Sequence, residues 1–243
     1  MEKRVEQAVA LVLRAVDFGE SDRVVTLLTR ELGLVSTMAR AARKSKRRFA
    51  GALEGFAVIS VEIRAGRGAL SQLETARVTR VFPKLLLNLA AMEAAGALLR
   101  MAREILPERA PEPEVFDTLV EAFELLDAGA VARPLQLCCQ ARLLQLTGFA
   151  PMLTACVSCG REPKPGQAAQ LSVARGGIVC RACGGAPEHL AGPLREALQE
   201  ALEGAPLDAL ARMPDAEMRE GERLLSLFVA QLLQHEHKLD KRL

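Results

Sequence analysis

Short apolar runs alternate with polar breaks through the first 82 residues, a pattern that is typical of β-strands. Val, Ile, Leu and Thr dominate the runs, and Gly-rich or charged segments separate them. The five runs are QAVALVLRAV, RVVTLLT, LGLVSTMA, FAVISVEIR and LSQLETARVTRVF. Five short strands within residues 1–82 predict a small barrel or sandwich.

From Pro83 onward the apolar positions follow helical spacing, and Leu, Ala, Glu and Arg dominate. A Gly- and Pro-rich stretch with four cysteines interrupts the helical pattern at about 150–190. The predicted helices span 84–106, 114–127 and 134–147, a segment with an apolar stripe from Leu194 to Leu202, and 215–235. We therefore predict an α+β multidomain protein, with a strand domain at 1–82 and a helical domain at 83–243.

Length and composition predict two or three compact units, because the chain has 243 residues, half hydrophobic and a quarter charged. The uncharged apolar run Leu85–Met92 is far shorter than the roughly 20 residues of a membrane-spanning helix. Nor does the amino-terminal sequence resemble a signal peptide. We expect a soluble intracellular protein whose six cysteines are reduced or metal-bound rather than paired in disulfides.

Positive charge is concentrated in the strand domain. Residues 1–82 carry 15 basic and 9 acidic side chains, a net +6, whereas residues 83–243 carry 17 and 21, a net −4. Most of the excess lies in residues 40–49, the basic loop, which contains no acidic residue. This loop predicts a contact with the phosphates of nucleic acid, although a solvated charge run that protects an edge strand remains an alternative. The expected DNA-binding residues are Arg23, Arg40, Arg43, Lys44, Lys46, Arg47, Arg48 and Phe49.

Aromatic residues are scarce, which bears on how nucleic acid would be bound. The chain has no Trp and no Tyr, and the strand domain contains Phe18, Phe49, Phe56 and Phe82. Phe49 is the favoured candidate for stacking on a base, and a role at the edge of the core is the alternative. With so little stacking, charge should dominate, and we predict binding to single- and double-stranded DNA without sequence specificity.

Four cysteines give the strongest local motif in the chain. Cys156 and Cys159 form one C-x-x-C pair, and Cys180 and Cys183 form a second after 20 intervening residues. This spacing predicts a single four-cysteine Zn²⁺ site, which leaves no open coordination position and is therefore structural. Redox chemistry at one pair and two disulfides are the alternatives. The neighbouring pair Cys138–Cys139 lies in a Leu-rich helix and is expected to be buried.

Candidate catalytic residues are weak. Asp17, Glu20 and Asp22 cluster around a predicted turn, where a solvated turn is favoured over an acid/base pair. The chain contains no phosphate-binding glycine loop, G-x-S-x-G or H-E-x-x-H motif. We expect a protein that is not an enzyme, with a zinc hydrolase as the minor alternative.

With the basic loop and the cysteines placed, the chain resembles the bacterial RecO family of recombination mediators. Residues 19–56, from GESDRVVTLL to GALEGF, resemble the family's amino-terminal signature. LTGFAPMLTACVSCG and GGIVCRACGG resemble its zinc-bearing middle segment. Ala41 stands where a glycine is common in the family, which predicts a stiffer basic loop.

The resemblance implies an oligonucleotide-binding (OB-type) five-stranded barrel followed by a helical domain with an inserted zinc module. It also implies DNA binding, annealing of complementary strands, and help in loading RecA onto strands covered by single-strand-binding protein. The implied partners are DNA, RecR and the acidic tail of single-strand-binding protein, in a bacterial cytoplasm close to the nucleoid. From the residues alone, a zinc-ribbon adaptor with an incidental basic loop remains the alternative function.

Overall fold

The computed structural model describes residues 5–45, 47–66 and 70–240. The chain forms two compact units, Met1–Gly129 and Ala130–Leu243. The first unit contains the predicted strand domain and two helices. The sequence predicts a domain boundary after residue 82, and that boundary stays a prediction. No helix in the described ranges is long and apolar enough to cross a membrane.

Five strands close into a barrel in the first unit. They are β1 (Val5–Phe18), β2 (Asp22–Thr29), β3 (Gly33–Ala39), β4 (Ala57–Arg64) and β5 (Ser71–Val81). Their order around the barrel is β1-β2-β3-β5-β4, and β4 pairs with β1 to complete the ring. All neighbours are antiparallel except β3 and β5. This arrangement confirms the α+β class and the OB-type barrel.

Alternation along the strands fills the barrel with small and branched apolar side chains. Ala10, Val25, Leu27, Ile59 and Leu73 are almost completely buried there. Beyond Leu11, β1 leaves β4 and pairs only with β2, so the β1–β2 hairpin extends past the closed barrel. The hairpin is continuous with β3, which pairs with β2 along its whole length.

Two helices complete the first unit, α1 (Leu89–Ile105) and α2 (Pro113–Ala128). The sequence predicts the first helix from residue 84, but a short 3-10 turn at Leu85–Leu87 precedes it. The backbone amide of Asn88 ends that turn by donating to the Leu85 carbonyl, and its side chain caps α1 by accepting a hydrogen bond from the Ala91 amide at 3.2 Å. Phe82 packs edge-on against Phe123 of α2, with ring centroids 5.5 Å apart.

The second unit combines three helices with a small sheet. The helices are α3 (Ala132–Leu146), α4 (Gly192–Leu202) and α5 (Asp215–Asp240). The sheet holds three very short strands, β6 (Ala169–Ser172), β7 (Gly177–Ile178) and β8 (Glu188–Leu190), in the order β7-β6-β8. Sequence periodicity did not indicate these strands, because two to four residues are too few to show alternation. Cys138 and Cys139 are fully buried in α3, as predicted.

Candidate nucleic-acid interface and metal centre

The basic loop is anchored on the tip of the β1–β2 hairpin. The Arg43 amide donates to the Ser21 carbonyl at 3.1 Å, and the Ala41 amide donates to the Asp22 carboxylate at 2.7 Å. On its other side, the Arg48 carbonyl accepts from the Ala76 amide of β5 at 2.9 Å. These contacts hold both ends of the loop against neighbouring strands, so its position follows from the barrel.

The segment 40–56, which begins with the basic loop, also inserts apolar side chains into the barrel core. Ala42, Phe49, Ala52 and Leu53 belong to the same buried cluster as the inward residues of the strands. Phe49 is only 2% exposed, so its ring has no face open to a base. Of the two roles considered for Phe49, the structure therefore supports the core role, and the expected stacking role is corrected.

Three of the expected DNA-binding cations have partners within the protein. Arg23 pairs with Asp17 at 2.9 Å and with Glu54 at 3.0 Å, and both carboxylates raise the pKa of its guanidinium. Arg43 lies 3.6 Å from the other oxygen of Asp17. Arg48 donates to the Arg40 carbonyl at 2.6 Å, with its guanidinium 5.1 Å from the centre of the Phe49 ring. These side chains support the loop.

The remaining described cations of the loop point into solvent. Arg40, Lys44 and Arg47 are exposed. In the described part of the chain, no carboxylate lies within ion-pair distance of any of the three. Lys46 lies outside the described residues. We call Arg40, Lys44 and Arg47 the open cations, because their charge is not neutralised by the fold.

Arg30, which lies upstream of the basic loop, forms an ion pair with a residue of α2. Its guanidinium donates to both oxygens of Asp117 in α2, at 2.9 and 3.0 Å. Arg30 holds the pKa of the Asp117 carboxyl below its usual range, through this hydrogen bond first and through charge second. This pair links β2 to α2 within the first unit.

The acidic cluster at the hairpin likewise serves the loop. Asp17 forms ion pairs with Arg23 and Arg43, and Asp22 accepts hydrogen bonds from the Ala41 amide and the Ser21 hydroxyl. Two of the three acidic residues that the sequence groups at this turn, Asp17 and Asp22, thus bind the loop and the neighbouring cations.

The exposed aromatic of this surface is Phe18, which sequence reasoning passed over in favour of Phe49. Its exposure is 58%, at the end of β1 where the hairpin turns. Phe82 and Phe49 are buried, and Phe56 is half-buried with its ring 6.1 Å from that of Phe123. The last five residues of β1 are all exposed, because the hairpin extends beyond the barrel there. The amino-acid composition of the strand does not indicate this extension.

The four cysteines of the second unit converge at one point. Their sulfur atoms all lie within 4.8 Å of one another, and the Cys159 and Cys180 sulfurs are 3.7 Å apart. Four thiolates around zinc at about 2.3 Å place the sulfurs about 3.8 Å apart, so this geometry fits a tetrahedral ion. Gly160 and Gly184, directly after the two pairs, take positive φ angles of 70° and 95° and turn the chain around the site. The predicted clustering is confirmed.

Electrostatics at the sulfurs also favours a cation. The amides of Cys180 and Ser158 donate toward Cys156 and lower the pKa of its thiol to about 5. Contact with the sulfurs of Cys159 and Cys180 raises the pKa of the Cys183 thiol to about 12. Four thiolates packed this closely repel one another unless a positive ion lies among them.

A buried arginine connects the cysteine module to α4. Arg195 is 6% exposed, and its guanidinium donates to the carbonyls of Leu153 and Gln167, at 3.2 and 3.4 Å. It also pairs with Glu196 at 3.0 Å. Because the two carbonyls lie on the two segments that flank the first cysteine pair, Arg195 fastens the module to the helical part of its unit.

Two family models match consecutive parts of the chain. The family model described as "Recombination protein O N terminal" matches residues 1–82, and "Recombination protein O C terminal" matches residues 86–241. The chain belongs to the RecO family. The resemblance inferred from the residues is thereby confirmed.

Individual RecO relatives agree over most of their length. A "DNA repair protein RecO" from Anaeromyxobacter sp. (strain K) is 40% identical over 241 residues, covering 96% of this chain and 91% of the relative. The Myxococcus xanthus (strain DK1622) protein of the same name is 36% identical over 235 residues, covering 96% and 92%. The Geobacter sulfurreducens protein is 41% identical over 180 residues, covering 73% of each chain. Membership of this family supports a role in DNA repair.

Proposed function

We propose that this protein is a non-enzymatic recombination mediator in DNA repair. It binds single- and double-stranded DNA without reading sequence, anneals complementary strands, and assists the loading of RecA onto strands covered by single-strand-binding protein. RecR and the acidic tail of single-strand-binding protein are its proposed protein partners. Family membership supports the general role, and the cationic surface of the barrel supports the mode of DNA binding.

A single observation carries the DNA-binding proposal: the open cations project from a loop whose position is fixed. The core insertion of Phe49 and the backbone contacts of Arg43 and Arg48 order the loop before DNA arrives. Binding therefore does not require the loop to fold, and the exposed charges can neutralise phosphates directly. Phosphate contacts position a protein without specifying bases, so binding should be independent of sequence.

Annealing follows from the same charge. Two complementary strands repel each other through their phosphates, and a surface that neutralises both lowers that repulsion. Because the cations contact the backbone, the base edges stay available for pairing. No covalent step is needed in this mechanism.

The proposal is tested by binding and annealing of labelled oligonucleotides across a salt series, with the open cations replaced together (Arg40→Gln, Lys44→Gln, Arg47→Gln). About six phosphate contacts in the wild type would give slopes of log K against log salt of roughly −4 on single strands and −5 on duplex. Removing three contacts should reduce these slopes by about 2 to 3 and slow annealing in parallel.

A charge-matched control replaces three arginines that already have carboxylate partners, Arg30, Arg133 and Arg219. This variant loses the same formal charge, so net charge alone predicts equal weakening of both variants. The proposal predicts a much larger loss for the open cations. Equal slopes in the two variants, or wild-type binding that is insensitive to salt, would contradict it.

For the cysteine module, we propose one structural Zn²⁺ held by Cys156, Cys159, Cys180 and Cys183. Four thiolate ligands suit zinc and leave no position for water or substrate, so the ion would stabilise the fold of the segment. Metal analysis of the purified protein should return one zinc per chain. A Cys156→Ser variant should lose metal and stability together, whereas loss of a hydrolytic activity without loss of stability would favour the zinc hydrolase alternative.

A zinc-ribbon adaptor is the second candidate, and one observation favours it. Beside the cysteines lies a groove of about 500 Å³ whose lining includes Arg161, Arg181 and His189. A protein partner could bind there with the basic loop playing no part. Under this alternative, replacing the open cations would leave DNA affinity almost unchanged.

A further inference from the structure

Phe18 is an exposed aromatic residue on a protein that exposes few. All eight phenylalanines lie in the described part of the chain, and Phe18, at 58% exposure, is the one whose side chain is largely in solvent. The exposed part of the ring gains nothing from the hydrophobic effect in the free protein. The surroundings of Phe18 therefore decide what the ring could contact.

Strand register places Phe18 at the end of an apolar strip on the outer face of the sheet. Val16 pairs with Val24, and Val24 pairs with Met38, so these three side chains share one face. Phe18 lies two residues beyond Val16 on the same strand and so shares that face. Val16 is 41% exposed, and Val24 and Met38 are half-buried. Phe18 therefore extends this apolar strip toward the exposed end of the hairpin.

Cations of the basic loop adjoin this strip. Arg40 follows Met38 by two residues at the end of β3 and is one of the open cations. Arg43 reaches the hairpin directly, donating to the Glu20 carbonyl at 3.4 Å and to the Ser21 carbonyl through its amide. The acid nearest Phe18 across the hairpin, Asp22, is occupied by the Ala41 amide. Register therefore brings one open cation, Arg40, to the same edge of the sheet as Phe18, whereas Arg43 is paired with Asp17 and the exposed Glu20 lies in the intervening turn.

This combination matches a single nucleic-acid strand better than a protein surface. A single strand presents a planar base and a negative phosphate at every nucleotide, spaced so that a ring and a neighbouring cation are used together. In duplex DNA the bases are already stacked on one another and offer no free face. A protein partner would need a broader apolar patch than one ring and a half-buried strip.

We propose that Phe18 stacks on an unpaired base while the open cations hold the adjoining phosphates. The inference rests on the proposed DNA-binding function and deepens it, because it makes this surface prefer single strands. Stacking is tolerant of base identity, so binding stays independent of sequence. Pairing of two strands removes the free base face, so the contact is lost once annealing is complete and the duplex is held more weakly.

The absence of tryptophan from the chain provides a direct test. A Phe18→Trp variant contains one fluorophore at the site in question. We expect single-stranded oligothymidylate to quench its emission strongly, and duplex of equal length to quench it little. A Val131→Trp variant, at a position 63% exposed in the second unit, is the matched control and should change little with either DNA.

Affinity measurements separate stacking from charge. Phe18→Ala and Phe18→Leu should each weaken single-strand binding by about 5- to 150-fold, and leave duplex binding and the salt slope unchanged. Phe18→Trp should retain single-strand affinity. Because Phe18 is exposed, its variants should keep the thermal stability of the wild type, which an unfolding scan checks.

The outcomes distinguish this inference from the function on which it rests. The stacking proposal is overturned if Phe18→Trp binds DNA with a steep salt slope but its fluorescence is not quenched. It is also overturned if Phe18→Ala keeps full single-strand affinity, and the apolar strip is then a candidate surface for a protein partner. If Phe18→Leu binds like the wild type, an apolar contact replaces stacking and the proposal also fails. If the wild type binds no DNA at low salt, the proposed function itself fails.

Discussion

Two loop regions of this protein become ordered in different ways. The segment 40–56 in the first unit and the module at 150–190 in the second are both poor in regular structure and rich in turns. The first buries four of its own apolar side chains in a preformed barrel. The second has strands of only two to four residues, and its cysteines converge on one point. The first is ordered by the barrel core, whereas for the second we propose a metal ion in addition to its own buried apolar side chains.

Backbone conformation follows this division. In the cysteine module every described residue with positive φ is a glycine, for example Gly160, Gly176 and Gly184. In the segment 40–56, three residues that are not glycine take positive φ: Ala41, Ala50 and Phe56, at 53°, 31° and 50°. A left-handed conformation costs such residues about 1–2 kcal/mol each, so the segment must gain that energy from packing. The cysteine module also buries apolar side chains, among them Leu171, Ile178 and Leu190, but it has glycine at its left-handed positions and so avoids the cost.

Metal removal should produce the largest effect and affect the two regions unequally. Chelation or Cys156→Ser should expose the amides of residues 150–190 to hydrogen exchange and destabilise the second unit by more than about 4 kcal/mol. The barrel, whose core contains no cysteine, should keep its protection. Hydrogen exchange read by mass spectrometry measures both regions in one sample.

Cys139→Ala is the control for the metal experiment. Cys139 is fully buried in α3 but lies outside the cysteine cluster, so this variant should keep one metal ion per chain. Full metal content in Cys156→Ser, or unchanged exchange in residues 150–190 after chelation, would contradict a metal-dependent fold of the module.

Removal of the core insertion should produce the second largest effect. Phe49→Ala deletes a buried ring from the barrel and should lower the free energy of unfolding by about 3–5 kcal/mol. DNA affinity should also fall, since the loop loses the insertion that positions the open cations. Phe49→Leu should restore much of both, because an apolar side chain of similar size can fill the core. Denaturant unfolding and oligonucleotide binding are the measurements.

Phe18→Ala gives the matched comparison for Phe49→Ala, since both remove a phenyl ring from the first unit, one exposed and one buried. We expect the loss of stability at position 49 and a stability unchanged at position 18. A stability loss at Phe18 equal to that at Phe49 would mean that the hairpin tip packs against the protein rather than extending from it.

The two phenylalanines also show where sequence reasoning ends. Both lie beside charged residues, and Phe49 is closer to the cations along the chain, so the sequence favoured it for stacking. Burial is decided by three-dimensional placement: the Ala76 amide of β5 donates to the Arg48 carbonyl, and Phe49 joins the buried cluster of the barrel. The charge on Arg23, Arg43 and Arg48 was visible in the sequence, but their carboxylate and carbonyl partners were not.

The cysteine site was predictable because its chemistry is local. Each C-x-x-C pair brings two sulfurs to one ion within a single turn, and the spacing between the pairs limits the remaining freedom. The five barrel strands were likewise visible from their composition, since each is seven or more residues long. The three strands of the module and the 3-10 turn before α1 depend on contacts across the fold and gave no pattern.

Relief of backbone strain in the basic loop should give the smallest change in the free energy of unfolding. The sign of that change decides whether the loop is strained. At Ala41, with φ of 53° and ψ of 29°, glycine removes a steric cost of about 1–2 kcal/mol and adds about 0.5–1 kcal/mol of chain entropy to be lost on folding. Ala41→Gly should therefore stabilise the protein by about 0.5–1 kcal/mol, a rise of about 2 °C in the midpoint of the first unit.

Ala15→Gly provides the opposite case, because Ala15 is exposed in the extended conformation of β1, where the methyl group costs nothing. Glycine at position 15 should lower the free energy of unfolding by about 0.5–1 kcal/mol. Thermal unfolding of the two variants gives opposite signs if the left-handed turn at Ala41 exists in solution. A loss of stability in both would show that the loop is not strained, and that burial of Phe49 orders it without opposing a backbone cost.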